Sequence, residues 1–120
     1  MPEFRVVFVA RDYEATTEFF IDVMGLEVLR SFEEGGKGMI LSAAEGQIEV
    51  FAPGDDPPDP VSGATLAWEV ADADAEHDRL IAAGAEILRL PQVQPWGHKS
   101  FVVEGPDGWV MTLFEIVVPQ

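Results

Sequence analysis

The sequence has no cysteine and few cations. Its 120 residues include two histidines and seven lysines and arginines, against 22 aspartates and glutamates. The absence of cysteine excludes a disulfide framework, thiolate metal ligands and a cysteine nucleophile. The net charge of -15 argues against nucleic acid as a partner, because a polyanion is repelled by an acidic surface. The same charge favours a small cationic molecule, although acidic surfaces also serve solubility.

The sequence also lacks a long hydrophobic run. The apolar segment near the start ends at Ala10, too early for a signal peptide or a membrane span. Hydrophobic residues nevertheless make up 48% of the chain, which is enough for a core. We therefore expect one cytoplasmic domain over residues 1–120 that does not interact with a membrane.

An internal repeat organises the chain. The segment Gly25-Leu26-Glu27-Val28-Leu29-Arg30 returns as Gly84-Ala85-Glu86-Ile87-Leu88-Arg89, with four of six residues identical. Each copy follows an amphipathic stretch with an aspartate near its start. Asp12 is predicted to cap the first helix and either Asp72 or Asp74 the second, and each glycine is placed to end a helix. The repeat predicts two similar halves.

Each half reads as a strand, a helix and three further strands. We predict module 1 over residues 4–53, a linker rich in proline and aspartate over 54–62, and module 2 over 63–117. In module 2 the strand that begins at Glu86, inside the repeated segment, is predicted to end at Leu90, and a loop is predicted over 91–97. The fold class is therefore α+β, built from two βαβββ modules.

Motifs in the second half carry a resemblance to a known family. The segments Pro95-Trp96-Gly97-His98-Lys99 and Gly105-Pro106-Asp107-Gly108, the latter leading to Leu113-Phe114-Glu115, resemble the vicinal oxygen chelate superfamily. That superfamily includes glyoxalase I, bleomycin resistance proteins and extradiol dioxygenases. The resemblance implies that the modules form a U-shaped, cup-like mixed sheet with the helices outside. It also implies a homodimer, because modules of this family pair between chains.

In metal-using members of the family, four strand positions in the cup carry the metal ligands. These positions fall here on Arg5, Glu49, Thr65 and Thr112. Only Glu49 is a metal donor, and a catalytic divalent metal needs about three protein donors. Glu115 is not a substitute, because three residues beyond Thr112 along a strand it points to the opposite face. We expect no metal and no other cofactor.

The sequence predicts that Arg5 takes the place of the metal and forms a buried ion pair with Glu49. The alternative is that Arg5 points outward from an edge strand and contacts nothing. Strand alternation and the loop motifs predict the remaining residues of the ligand-binding cup. These are Val7, Phe51, Ala67, Glu69, Trp96, His98, Trp109 and Phe114.

The sequence favours one function and leaves two alternatives. The favoured function is metal-independent binding of a small organic molecule, with sequestration of a cationic antibiotic or toxic metabolite. The first alternative is a glyoxalase-like lyase or dioxygenase-like enzyme that uses either an atypical metal site or Glu49 as general base. The second alternative is a subunit or regulatory partner that binds no small ligand.

Overall fold

The computed structural model describes residues 2–118, so both ends of the predicted domain 1–120 lie outside the described residues. The chain divides into two compact units, residues 1–60 and 61–120. Each unit has one four-stranded mixed sheet and one helical region. The predicted α+β class and the repeated βαβββ order are confirmed. None of the helices within residues 2–118 is long and apolar enough to cross a membrane.

The first unit has the sheet order β1-β4-β3-β2, in which β1 runs parallel to β4 and the other pairs are antiparallel. The helix α1 continues into a π-helical turn at Phe19–Val23. The elements are β1 (Arg5–Val9), α1 (Tyr13–Glu18), β2 (Glu27–Phe32), β3 (Gly38–Ala43) and β4 (Gly46–Phe51).

The second unit repeats this arrangement with the order β5-β8-β7-β6, and β5 runs parallel to β8. Its strand β6 runs on to Val93, so the predicted end at Leu90 is wrong. The strand contains Pro91, which is tolerated because β6 is an edge strand with a register shift between Arg89 and Gln92. The elements are β5 (Leu66–Glu69), α2 (Ala73–Ala82), β6 (Glu86–Val93), β7 (His98–Glu104) and β8 (Val110–Ile116).

The first helix begins after Asp12 as predicted, and of the two candidates for the second helix the structure has Asp72 as the cap. The side chain of Asp12 accepts a hydrogen bond from the backbone N–H of Ala15, and Asp72 accepts one from Ala75, each over 3.1 Å. These bonds satisfy donors that would otherwise lack partners in the first turn. Gly25 and Gly84, with φ of 74° and 93°, follow the helical segments in the left-handed conformation that glycine adopts without strain.

Each sheet covers its core with one face. The helix-covered face of the first unit contributes buried Leu41, Ile48 and Val50, which accompany Phe20 and Met24 of the helical segment. In the second unit the core includes alternate apolar residues of β7 and β8 together with Leu80 of α2. In each unit the opposite face of the sheet points away from the helix. That face is called the open face below.

Candidate ligand-binding site

The parallel pairing of β1 with β4 brings Arg5 close to Glu49. Val7 lies opposite Glu49 in the register, and Arg5 lies two residues earlier on the same face of β1. The Arg5 Nη1 donates a hydrogen bond to Glu49 Oε1 over 3.2 Å, and Nη2 donates one to Glu3 Oε1 over 2.8 Å. The contact with Glu49 was predicted from the sequence, and the outward-pointing alternative is wrong.

The ion pair is less buried than the sequence suggested. The side chain of Arg5 is 37% exposed, whereas that of Glu49 is 13% exposed. The hydrogen bonds from Arg5 to Glu3 and then to Glu49 raise the pKa of the guanidinium, so it stays charged at any physiological pH. The expectation of a fully buried pair is therefore corrected, because solvent reaches the arginine and screens the pair.

A cavity of about 560 Å³ opens on this face of the first unit. Its lining combines the Arg5–Glu49 pair with aromatic, aliphatic and further charged side chains from all four strands and the turn after β2. The lining residues are Arg5, Arg30, Phe32, Glu33, Glu34, Ile40, Glu49 and Phe51. Of the predicted cup residues, Arg5, Glu49 and Phe51 line this cavity, while Val7 is 55% exposed on the same strand face as Arg5.

Two phenylalanines form the aromatic part of the cavity. The rings of Phe32 and Phe51 meet edge to face, with centroids 5.7 Å apart and an interplanar angle of 66°. The Phe32 ring occupies the space above Gly38, where an added Cβ would lie 2.6 Å from Phe32 Cζ. Gly38 therefore provides the room that lets the ring cover the strand and reach Phe51.

Arg30 enters the cavity from β2 and was missed by the sequence analysis. It lies opposite Ile40 of β3, directly after a register shift between Val28 and Arg30. Its guanidinium carbon lies 5.9 Å from the centroid of the Phe32 ring, which is a cation–π distance. A signal was present in the sequence, because the repeated segment ends in arginine in both copies. Phe32, Ile40, Glu33 and Glu34 were also missed, since β2, β3 and the turn hold none of the family's ligand positions.

The open face of the second unit assembles other predicted residues. Ala67 lies opposite Thr112 in the register, and Glu69 lies opposite Phe114. The ring of His98 stacks on Phe114 with centroids 4.6 Å apart and an interplanar angle of 10°. The structure thus places His98 and Phe114 together, and their contact with a ligand stays a prediction.

The remaining predicted cup residues lie outside the strands. Thr65 directly precedes β5 and is exposed. Trp96 lies in the turn before β7 and is 57% exposed, whereas Trp109 is 5% exposed and belongs to the core beside β8. A ligand contact by Thr65, Trp96 or Trp109 stays a prediction.

Glu115 lies on the helix-covered face, as the strand alternation predicted. Its Oε1 accepts a hydrogen bond from the backbone N–H of Ala73 over 2.9 Å. The carboxylate therefore acts at the N-terminus of α2 and does not reach the open face where Thr112 lies.

Comparison with known proteins supports the resemblance. The family model described as Glyoxalase/Bleomycin resistance protein/Dioxygenase superfamily matches residues 4–113. No curated protein matches the chain significantly in sequence.

Several solved structures are similar in fold. TioX from Micromonospora sp. ML1 is 21% identical with a TM-score of 0.78, and the match covers 97% of this chain and 99% of that one. A member of the glyoxalase/bleomycin resistance protein/dioxygenase superfamily from Sphaerobacter thermophilus DSM 20745 is 20% identical with a TM-score of 0.78, covering 96% and 97%. Virulence protein STM3117 from Salmonella typhimurium is 19% identical with a TM-score of 0.75, covering 98% of both chains.

The donor set does not fit the divalent metal of the metal-using relatives. Among residues 2–118, no three histidine, cysteine, aspartate or glutamate side chains are close enough together to hold an ion. At the four positions aligned with family ligands, Arg5 has no lone pair to donate and the two threonines supply only neutral hydroxyls. Glu49 is the one remaining donor, and it already accepts from Arg5.

Proposed function

This chain belongs to the Glyoxalase/Bleomycin resistance protein/Dioxygenase superfamily, and from that premise we propose that its first unit binds a small planar organic molecule without a metal ion. The observation that carries the proposal is the Arg5–Glu49 ion pair in the wall of the cavity. An arginine here supplies a fixed positive charge and N–H donors where a relative would hold a dication.

The chemistry of the cavity indicates the kind of molecule that fits it. Phe32, Phe51 and Ile40 offer apolar and aromatic surface, which favours a flat ring system. Glu33 and Glu34 are exposed carboxylates at the end of the cavity lined by the turn after β2. They favour a ligand that also carries a cationic group, in keeping with the net charge of -15.

In this proposal the protein acts by association alone. Stoichiometric binding removes a toxic or antibiotic molecule from solution and needs a complementary pocket but no activated group. We propose that it does so in the cytoplasm as a homodimer.

The test combines elemental analysis with calorimetry. Protein purified without added metal is analysed for zinc, nickel, iron and manganese, and is then titrated with planar aromatic amines before and after treatment with EDTA. We expect metal far below one equivalent per chain, saturable binding that EDTA leaves unchanged, and no chemical alteration of the recovered ligand. Metal near one equivalent per chain, or binding lost with EDTA, would contradict the proposal.

A substitution separates binding from catalysis. Glu49→Gln removes the carboxylate that accepts from Arg5 while keeping the shape of the side chain. Under the binding proposal the variant binds more weakly and neither protein forms product. If the wild type converts a dicarbonyl or a catechol and Glu49→Gln abolishes the conversion, the chain is an enzyme with Glu49 as a catalytic residue.

A further inference from the structure

The two copies of the repeat place an arginine at the same point of each sheet. Arg30 lies opposite Ile40, and Arg89 lies opposite Val102, in each case directly after a register shift in the edge strand. The register shift turns the following residue of the edge strand to the other face of the sheet. Arg30 therefore lies on the open face with Phe51 of β4, and Arg89 lies on the open face with Phe114 of β8. Because the two arginines hold equivalent positions, the contacts of Arg30 can be compared directly with those of Arg89.

In the second unit this arginine has a partner within the sheet. Arg89 Nη2 donates a hydrogen bond to Ser100 Oγ over 3.4 Å, and Ser100 is buried at 2% exposure. Ser100 lies opposite Phe114 in the register. The Ser100 hydroxyl thus accepts one hydrogen bond from Arg89 and holds the arginine side chain against β7.

In the first unit the corresponding partner is missing. The position opposite Phe51, which corresponds to Ser100, is Gly38 and has no side chain. Among residues 2–118, Arg30 forms no salt bridge with a carboxylate, and its contact is with the face of Phe32. Arg30 is exposed and lines the cavity, and among the described residues its N–H donors have no protein acceptor, whereas those of Arg5 are engaged by Glu3 and Glu49.

We propose that Arg30 determines specificity by binding an anionic group of the ligand, most simply a carboxylate. A guanidinium presents N–H donors in a fork that matches both oxygens of a carboxylate, and the Phe32 ring beneath it holds the fork in place. This inference rests on the proposed function and deepens it. The ligand class is then an aromatic zwitterion, with its carboxylate at Arg30, its ring against Phe32 and Phe51, and its ammonium at Glu33 and Glu34.

The test uses two probes that differ by one charged group. Titration calorimetry compares 6-(aminomethyl)-2-naphthoate, a zwitterion, with 2-(aminomethyl)naphthalene, which lacks the carboxylate. We expect the wild type to bind the zwitterion roughly tenfold more tightly, the change typical of a charge-assisted hydrogen bond. Arg30→Gln is expected to remove this preference, so that the zwitterion binds the variant no more tightly than the amine does.

Arg89→Gln is the matched control, because it changes the same repeat position in the second unit and lies outside the cavity lining. It is expected to keep the full preference for the zwitterion. Arg30→Lys is expected to keep part of it, since the positive charge remains but the fork is lost. Far-UV circular dichroism shows whether each variant retains the fold.

The outcomes separate the two proposals. If the wild type binds both probes equally, or if Arg30→Gln and Arg89→Gln behave alike, the role of Arg30 is wrong while the proposed binding function stands. If neither probe binds at millimolar concentration, the proposed function fails and the inference fails with it.

Discussion

Glu115 of β8 accepts a hydrogen bond from the backbone N–H of Ala73, the first residue of α2, over 2.9 Å. This bond joins the last strand of the second unit to the start of its helix. It places a negative charge at the positive end of the helix dipole, where an anion is stabilising. Lys99 reinforces the same junction through its ion pair with Asp74 in the first turn. A carboxylate that looked like a ligand candidate therefore has a structural role.

We predict that Glu115→Ala lowers the free energy of unfolding by about 1–2 kcal/mol, because the Ala73 N–H loses its acceptor and the helix loses a favourable charge. Chemical denaturation measures this change. Glu45→Ala, in the exposed turn between β3 and β4, is the control and should change the free energy by less than about 0.5 kcal/mol. Equal effects for the two variants would contradict the role of Glu115.

Gly38→Ala is predicted to displace the Phe32 ring. The new Cβ would lie 2.6 Å from Phe32 Cζ and 3.1 Å from the backbone oxygen of Val50, so the ring must leave its place beside Phe51. We expect a loss of about 1–3 kcal/mol in unfolding free energy, as is typical of overpacking, and weaker binding of aromatic probes.

Gly46→Ala is the matched control for that change. It is also a strand glycine, but the nearest atom to its added Cβ lies at 3.6 Å, an ordinary van der Waals distance. Its stability and its binding of aromatic probes should stay close to those of the wild type. Normal binding by Gly38→Ala would show that the Phe32 ring is not part of the site.

Glu49→Gln is predicted to weaken binding of the aromatic zwitterion roughly tenfold, because a neutral amide oxygen replaces the charged acceptor of Arg5 and holds the guanidinium less firmly. The melting temperature should change little, since Arg5 is 37% exposed and exposed ion pairs contribute little to stability. Calorimetry and thermal unfolding measure the two effects. Glu3→Gln removes the other carboxylate bound to Arg5 and is expected to leave affinity nearly unchanged, because Glu3 does not line the cavity.

A pair of carboxylates in the second unit predicts a pH dependence of stability. Glu86 and Glu104 lie opposite each other on β6 and β7, and the hydrogen bond and negative charge of Glu86 raise the pKa of Glu104. Because this pKa is higher in the folded than in the unfolded chain, the shared proton stabilises the fold fully below the unfolded value of about 4.3. That stabilisation is lost as the pH rises through the folded pKa.

Glu104→Gln removes this titration and lets an amide donate to Glu86. As the pH rises from about 4 to about 7, the wild type loses the stabilisation by the shared proton and the variant does not. The melting temperature of the variant should therefore rise relative to that of the wild type over this range. Glu27→Gln is the control, because Glu27 holds the same repeat position as Glu86 but lies opposite Ser42. A difference that stays constant with pH for Glu104→Gln would contradict the shared proton.

The sequence allowed part of the first unit's site to be predicted, namely Arg5, Glu49 and Phe51 among the residues that line the cavity. The register that brings Arg5 to Glu49 follows from strand alternation and family resemblance, and the structure contains that contact. The 37% exposure of the Arg5 side chain could not be predicted, because solvent access depends on the packing of all the surrounding chain and not on strand alternation. Likewise, a tryptophan beside a hairpin gives the same local pattern whether it is exposed, as Trp96 is, or buried, as Trp109 is.

The sequence by itself determined the two βαβββ units, their capping aspartates Asp12 and Asp72, and the terminating glycines, because these features depend on a few neighbouring residues. Only the tertiary structure decided which side chains meet in the cavity. The bulge in β2 brings Arg30 to the open face, and the space above Gly38 admits the Phe32 ring, so that both lie in one cavity with Glu49 of β4. Such contacts form between residues distant in sequence, so no local pattern specifies them.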